Sequence, residues 1–95
     1  KDFENFVLDL GIIDDQNLFT NKIQKFINDY NVLRVKGYVE IKDKPMRFLV
    51  QAVGSRLRTQ FDKMWENDEI KKSRLVFITQ RDALKQTEIS NFFNK

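Results

Sequence analysis

The chain has 95 residues, 41% of them hydrophobic, and a formal net charge of +3, which fits one small folded domain and excludes intrinsic disorder. It has no Cys and no His, which excludes disulfides, thiolate or imidazole metal sites, and Cys–His or Ser–His–Asp catalysis. No apolar run approaches the roughly 20 residues of a membrane-spanning helix, and no signal peptide is visible. Because residue 1 is Lys rather than Met, we expect a cytoplasmic domain cut from a longer protein.

The charge is distributed unevenly along the chain. Residues 1–30 carry three basic and six acidic side chains, a balance of −3, whereas residues 31–64 carry eight and three, a balance of +5. The basic segment could attract an anion or an acidic partner. A solvated rim of Lys and Arg has the same composition, so charge alone does not decide between the two interpretations.

The first third of the chain predicts a strand followed by a helix. Phe6, Leu8 and Leu10 alternate with other residues and share one face, which predicts an edge or outer strand over residues 3–10. Asp14 or Asp15 can cap the helix that follows, because a carboxylate accepts hydrogen bonds from its free N–H groups. Apolar residues at helical spacing predict this helix over residues 16–30, namely Phe19, Ile23, Phe26, Ile27 and Tyr30.

Residues 32–54 predict a hairpin at the centre of the sheet, with strands over residues 32–41 and 46–54. A polar turn, Lys42-Asp-Lys-Pro45, separates the two strands. Gly37 occupies an apolar position of the first strand, which indicates a bulge or the close approach of another backbone. We expect the side chains at the centre of the core to be Leu33, Val35, Phe48 and Val50.

The last part of the chain predicts a fourth strand over residues 74–79 and a helix over residues 86–94. Residues 55–73 are less regular, and we interpret them as a functional loop or a connection with one helical turn. The order β-α-β-β-β-α indicates an α+β two-layer sandwich. In this fold a four-stranded, mostly antiparallel sheet has two helices packed on one face.

The second face of this sheet is more apolar than a solvated face normally is. Its predicted apolar residues are Val7, Val32, Tyr38, Leu49, Val53, Val76 and Ile78. They are mixed with Arg34, Arg47 and Gln51. We expect another domain to cover part of this face, and the alternative is a solvated face with tolerated surface hydrophobes.

Three cations, Arg34, Lys36 and Arg47, could form a patch on one sheet face with Tyr38 available for stacking. RNA-binding sheets use aromatics in this way, but their aromatic-rich octamer is absent, so nucleic acid is a disfavoured partner. Trp65 could anchor a partner or fold back onto the core.

The other candidate site is a cluster of carboxylates at Glu66, Asp68 and Glu69. Their oxygens could hold a hard cation, but they lack the spacing of an EF-hand loop. A solvated acidic loop is therefore the better interpretation.

Several segments, in order along nearly the whole chain, resemble the CobW C-terminal domain. Val32-Leu-Arg-Val-Lys-Gly37 resembles its [IV]-L-R-x-K-G signature, and Lys44-Pro-Met-Arg-Phe-Leu-Val-Gln-Ala-Val-Gly54 is similar to the strand of the CobW branch itself. Further matches are Phe61-Asp-Lys-Met-Trp65, Ser73-Arg-Leu-Val-Phe-Ile78 and the opening Phe3-Glu-Asn-Phe-Val7. The sequence departs from the pattern at Thr79, where many relatives have Gly, and in the C-terminal helix.

The resemblance implies a P-loop GTPase of the metallochaperone group, with the GTPase domain upstream. That domain would hold GTP, Mg²⁺ and a transition metal, cobalt or zinc, and the present domain would hold no cofactor or metal. The CobW branch is associated with cobalt supply to the cobaltochelatase of cobalamin synthesis, whereas sister branches serve zinc or other metalloenzymes.

We therefore expect a non-catalytic accessory domain that contacts its own GTPase domain and a client such as a cobaltochelatase subunit, with no membrane partner. The alternatives are the same domain in a sister-branch zinc or other metal-homeostasis GTPase, and a small anion- or nucleic-acid-binding module. The residues expected at the interface are Arg34, Lys36, Gly37, Tyr38, Arg47, Gln51 and Trp65.

Overall fold

The computed structural model describes residues 2–66 and 71–94. Their elements are β1 (Phe3–Leu10), α1 (Gln16–Tyr30), β2 (Arg34–Val39), β3 (Met46–Val53), β4 (Arg56–Met64), β5 (Ser73–Gln80) and α2 (Gln86–Phe93). The strands form one antiparallel sheet in the order β1-β5-β2-β3-β4. The predicted α+β sandwich is confirmed, with β1 at one edge of the sheet as expected.

The predicted number of four strands is wrong, because β4 occupies much of the stretch interpreted as a loop. Gly54 has a φ of 57°, and this left-handed backbone lets Gly54 and Ser55 form a two-residue turn between Val53 and Arg56. The new strand pairs antiparallel with β3, and the Phe61 ring packs 5.1 Å from the Phe48 ring. The described element order is therefore β-α-β-β-β-β-α.

Helix α1 begins and ends at defined caps. The Asp15 Oδ1 accepts a hydrogen bond of 2.9 Å from the Leu18 N–H, which decides the choice between Asp14 and Asp15. At the other end Asn31 adopts the left-handed conformation and its N–H donates to the Ile27 carbonyl.

The core lies between the two helices and one face of the sheet, and aromatic rings form its centre. The Phe26 ring lies 5.5 Å from Phe77 of β5 and 5.3 Å from Phe93 of α2, so both helices pack on the same sheet face. The predicted core residues Val35, Phe48 and Val50 are buried, and Leu33 is half-buried. Val32, expected on the opposite face, is instead buried in the core because it precedes β2.

Gly37 shows the close backbone approach, which is one of the two alternatives that the sequence predicts, the other being a bulge. A Cβ atom at this position would overlap the Arg74 carbonyl oxygen and lie 2.9 Å from the Leu75 Cα in the neighbouring strand β5. No side chain fits there without moving the backbone, so glycine is required by the pairing of β2 with β5.

Candidate interaction surface

The open face is the side of the sheet that carries no helix, and strand register arranges its side chains in rows that cross all five strands. The first row, from β1 to β4, is Asn5, Ile78, Arg34, Val53 and Arg56. The second is Val7, Val76, Lys36, Gln51 and Arg58. The third is Asp9, Arg74, Tyr38, Leu49 and Gln60.

An apolar block covers the β1–β5 side of the open face. Val7 is 46% exposed, and its neighbours Val76 and Ile78 are half-buried. Val53, across the sheet in β3, is 59% exposed. The apolar character predicted for this face is therefore present at its surface.

At the end of the open face beyond the third row, Arg47 contacts Asp62 and Tyr38. Its Nε and Nη2 donate to the two carboxylate oxygens of Asp62 at 3.0 and 2.7 Å, and its guanidinium lies 3.7 Å from the centroid of the Tyr38 ring. The hydrogen bond from Arg47 holds the pKa of the Asp62 carboxyl below its ordinary value. Arg47 and Tyr38 thus form a cluster that is separate from Arg34, which lies two rows away from Tyr38 on β2.

A second ion pair fixes the edge strand β1 to β5. Arg74 donates to the Asp9 carboxylate at 2.6 and 3.2 Å. The hydrogen bond lowers the pKa of Asp9 and raises the pKa of Arg74. Both side chains are about half exposed, so solvent screens the pair and its contribution to stability is small.

Trp65 lies beside the third row of the open face. It is half-buried and lines a groove of about 320 Å³ together with Lys36, Tyr38, Arg74 and Val76. Its indole Nε1–H is buried and meets no acceptor in residues 2–66 and 71–94. The predicted interface residues Lys36, Tyr38 and Trp65 are therefore neighbours in space.

Four cations of the first two rows form what we call the cationic quartet: Arg34, Lys36, Arg56 and Arg58. All four are exposed, and Val53 and the half-buried Gln51 lie between them in β3. The sequence prediction grouped Arg34 and Lys36 with Arg47 and missed the two arginines of β4. The alternation of Arg56, Arg58 and Gln60 with Leu57 and Phe61 was the signal that could have placed them on one face.

The described part of the chain, residues 2–66 and 71–94, contains no group of three or more His, Cys, Asp or Glu positioned to hold a metal ion. Glu66 is exposed, and the other two carboxylates of the predicted cluster, Asp68 and Glu69, lie outside the described residues. Neither helix in those residues combines the length and hydropathy needed to cross a membrane.

Comparison with known families identifies the domain. The family described as "Cobalamin synthesis protein cobW C-terminal domain" matches residues 10–95. The chain belongs to this family. The resemblance found in the sequence is therefore confirmed.

Two curated members of this family are similar to the chain in sequence. A protein named "Zinc chaperone CobW" from a Sinorhizobium species is 40% identical over 81 residues, which cover 85% of this chain and 23% of the relative. A protein of the same name from Pseudomonas aeruginosa is 38% identical over 87 residues, covering 92% of this chain and 22% of the relative. The CobW C-terminal domain described here thus spans less than a quarter of each.

Solved structures show the same fold. The Zn(II)-bound YjiA GTPase from E. coli matches 99% of this chain and 29% of its own, with a TM-score of 0.81 and 25% sequence identity. A Zn(II)-bound triple mutant of YjiA GTPase matches with a TM-score of 0.82 over the same shares of the two chains and at 25% identity.

Proposed function

We propose that this domain is the non-catalytic accessory domain of a GTP-dependent metallochaperone, and that its open face contacts the GTPase domain or the client protein. Membership of the CobW C-terminal family supports the class of protein. The observation that carries the role of the open face is its exposed apolar surface, with Val7 46% and Val53 59% exposed. Burying such a surface against a second domain would be favourable.

Zinc is the proposed cargo, because both curated relatives are named zinc chaperones. Cobalt delivery to a cobaltochelatase for cobalamin synthesis is the second candidate, supported by the description of the family. In either case GTP, Mg²⁺ and the metal would be held by a GTPase domain outside residues 1–95, and the proposed role belongs to the cytoplasm. Competition between Zn²⁺ and Co²⁺ for the GTP-loaded full-length protein distinguishes the two metals.

Val7→Glu in the full-length protein tests the role of the open face. We expect the variant to hydrolyse GTP at a rate within about twofold of the parent, whereas transfer of metal to the client falls about tenfold, because the glutamate would be desolvated in the contact. Leu18→Glu is the matched control, since Leu18 is 58% exposed on the helix side of the domain. Transfer that is equal in the parent and both variants overturns the proposed contact.

Removal of the whole domain tests its non-catalytic role. We expect basal GTP hydrolysis to persist in the remaining protein and metal transfer to the client to fall. Loss of hydrolysis in a remaining GTPase domain that is still folded, as judged by circular dichroism, would contradict the proposal.

A second candidate function, binding of a small anion or a nucleic acid, has one observation in its favour. The predicted cations Arg34 and Lys36 are exposed and have two further arginines, Arg56 and Arg58, across β3. Titration of the chain with GTP and with an oligonucleotide tests this function, because binding to phosphate groups weakens steeply as salt increases.

A further inference from the structure

The cationic quartet concentrates positive charge on one part of the open face. Arg34 and Lys36 are two residues apart on β2, and Arg56 and Arg58 are two residues apart on β4, with β3 between them. Side chains two residues apart on a strand point to the same face at a spacing of about 6.6 Å, and strands are about 4.8 Å apart. The four Cα atoms therefore outline a rectangle of roughly 7 by 10 Å.

Within residues 2–66 and 71–94, no carboxylate forms an ion pair with a member of this rectangle. The first two rows of the open face contain no Asp or Glu. By contrast, the other two arginines of the open face, Arg47 and Arg74, are each paired with an aspartate. Four like charges in such proximity repel one another, and an acidic partner would relieve that repulsion.

The neighbours of the quartet favour carboxylates over nucleic acid. Its two rows contain Val and Gln at the centre, Val53 and Gln51, and no aromatic side chain on which a base could stack. Two rings lie beside the quartet: Tyr38 in the third row is covered by the Arg47 guanidinium at 3.7 Å, and Trp65, in the groove with Lys36, is half-buried. Single-stranded nucleic acid would therefore meet four cations with little exposed ring surface on which its bases could stack.

We propose that the cationic quartet binds an acidic polypeptide segment of the partner protein, in which Asp or Glu residues alternate in an extended chain. Such residues are about 6.8 Å apart, which matches the spacing of Arg34 to Lys36 and of Arg56 to Arg58. This inference names the chemistry of the partner and rests on the proposed role of the open face.

Titration of the 95-residue chain with a synthetic peptide carrying four alternating glutamates tests the inference. The matched probes are the same peptide with Gln in place of Glu, and a single-stranded oligonucleotide of equal charge. The chain has one Trp, Trp65, so tryptophan fluorescence reports binding beside the quartet, and amide chemical shifts of Arg34 and Arg58 locate it. We expect binding of the Glu peptide alone, weakening as salt is raised.

Two double variants then test whether binding of the Glu peptide depends on the quartet itself or only on the net charge of the chain. Each exposed ion pair contributes up to about fivefold in affinity, so R56Q/R58Q should weaken the Glu peptide about tenfold. The control K42Q/K44Q removes the same charge from the exposed β2–β3 turn and should change affinity less than twofold. Equal weakening by both doubles would overturn the inference, as would tighter binding of the oligonucleotide or no binding of the Glu peptide.

Failure of this inference and failure of the proposed function are distinguishable. If the Glu peptide does not bind but Val7→Glu still blocks metal transfer, the inference of an acidic partner segment is wrong and the proposed contact of the open face stands. If the peptide binds at the quartet but loss of the domain leaves metal transfer unchanged, the proposed accessory role is wrong.

Discussion

Arg47 of β3 and Asp62 of β4 are joined by two hydrogen bonds of 3.0 and 2.7 Å, and this pair fastens the strand that the sequence did not predict. The side chains are 12% and 19% exposed, so water screens the pair far less than it screens an ordinary surface pair. The pair lies beside the irregularity between Met46 and Phe48, where the β3–β4 register shifts. It therefore holds the end of the sheet where backbone pairing is least regular.

Asp62→Asn should lower the free energy of unfolding by about 1–2 kcal/mol, because it replaces the charged acceptor of the partly buried Arg47 guanidinium with a neutral one. Asp9→Asn is the matched control, since its pair with Arg74 is about half exposed, and a smaller loss is expected. Urea denaturation measures both. Equal losses in the two variants would show that partial burial of the Arg47–Asp62 pair has no energetic consequence.

The same pair predicts a pH dependence with a definite sign. Because Arg47 lowers the pKa of folded Asp62 from its ordinary value of 3.8, the stabilisation is complete above that value and is lost as pH falls through the lowered pKa. The stability difference between the parent and Asp62→Asn should therefore be constant from about pH 7 to about pH 5, and should shrink towards about pH 2. A difference that grows on acidification would contradict the assignment.

Gly37→Ala should lower the free energy of unfolding by about 2–3 kcal/mol, because the added methyl group overlaps the Arg74 carbonyl and forces β2 away from β5. Gly11→Ala is the control, since a Cβ atom at Gly11 meets nothing within 4 Å. Thermal or urea unfolding checks both variants. Wild-type stability in Gly37→Ala would mean that the two strands separate at little cost.

Asp15→Ala should cost about 1 kcal/mol of stability, because the Leu18 N–H loses the carboxylate that caps it. Asp14→Ala changes the same charge one residue earlier without touching this hydrogen bond, and should be nearly neutral. Far-ultraviolet circular dichroism during urea unfolding compares the two. A larger loss in Asp14→Ala would reassign the cap.

The sequence predicted the elements that carry a strong local pattern and missed the one that does not. Helix α1 has a continuous apolar face, and β3 alternates Phe48, Val50 and Ala52, all of them buried. In β4, an edge strand, the inward side chains Leu57, Thr59 and Phe61 are only half-buried. Its polar residues and weak alternation therefore resembled those of a loop.

The candidate site was predicted only in part for the same reason. Arg34, Lys36, Tyr38 and Gln51 were placed on the open face from the alternation of β2 and β3 alone. Arg47 was grouped with Arg34 and Lys36, because no local pattern indicates that Asp62 lies opposite it. The two arginines that complete the quartet come from β4 and were missed with that strand.

The sequence by itself determined the two helices, four strands and the family, because each depends on local periodicity or on a contiguous motif. Only the tertiary structure decided the strand order β1-β5-β2-β3-β4, the choice of Asp15 as the cap and the pairing of Arg47 with Asp62. It also brought Arg34 and Lys36 beside Arg56 and Arg58. Apart from the cap, these relationships join residues on different strands, so antiparallel strand pairing sets their distances and spacing along the chain does not.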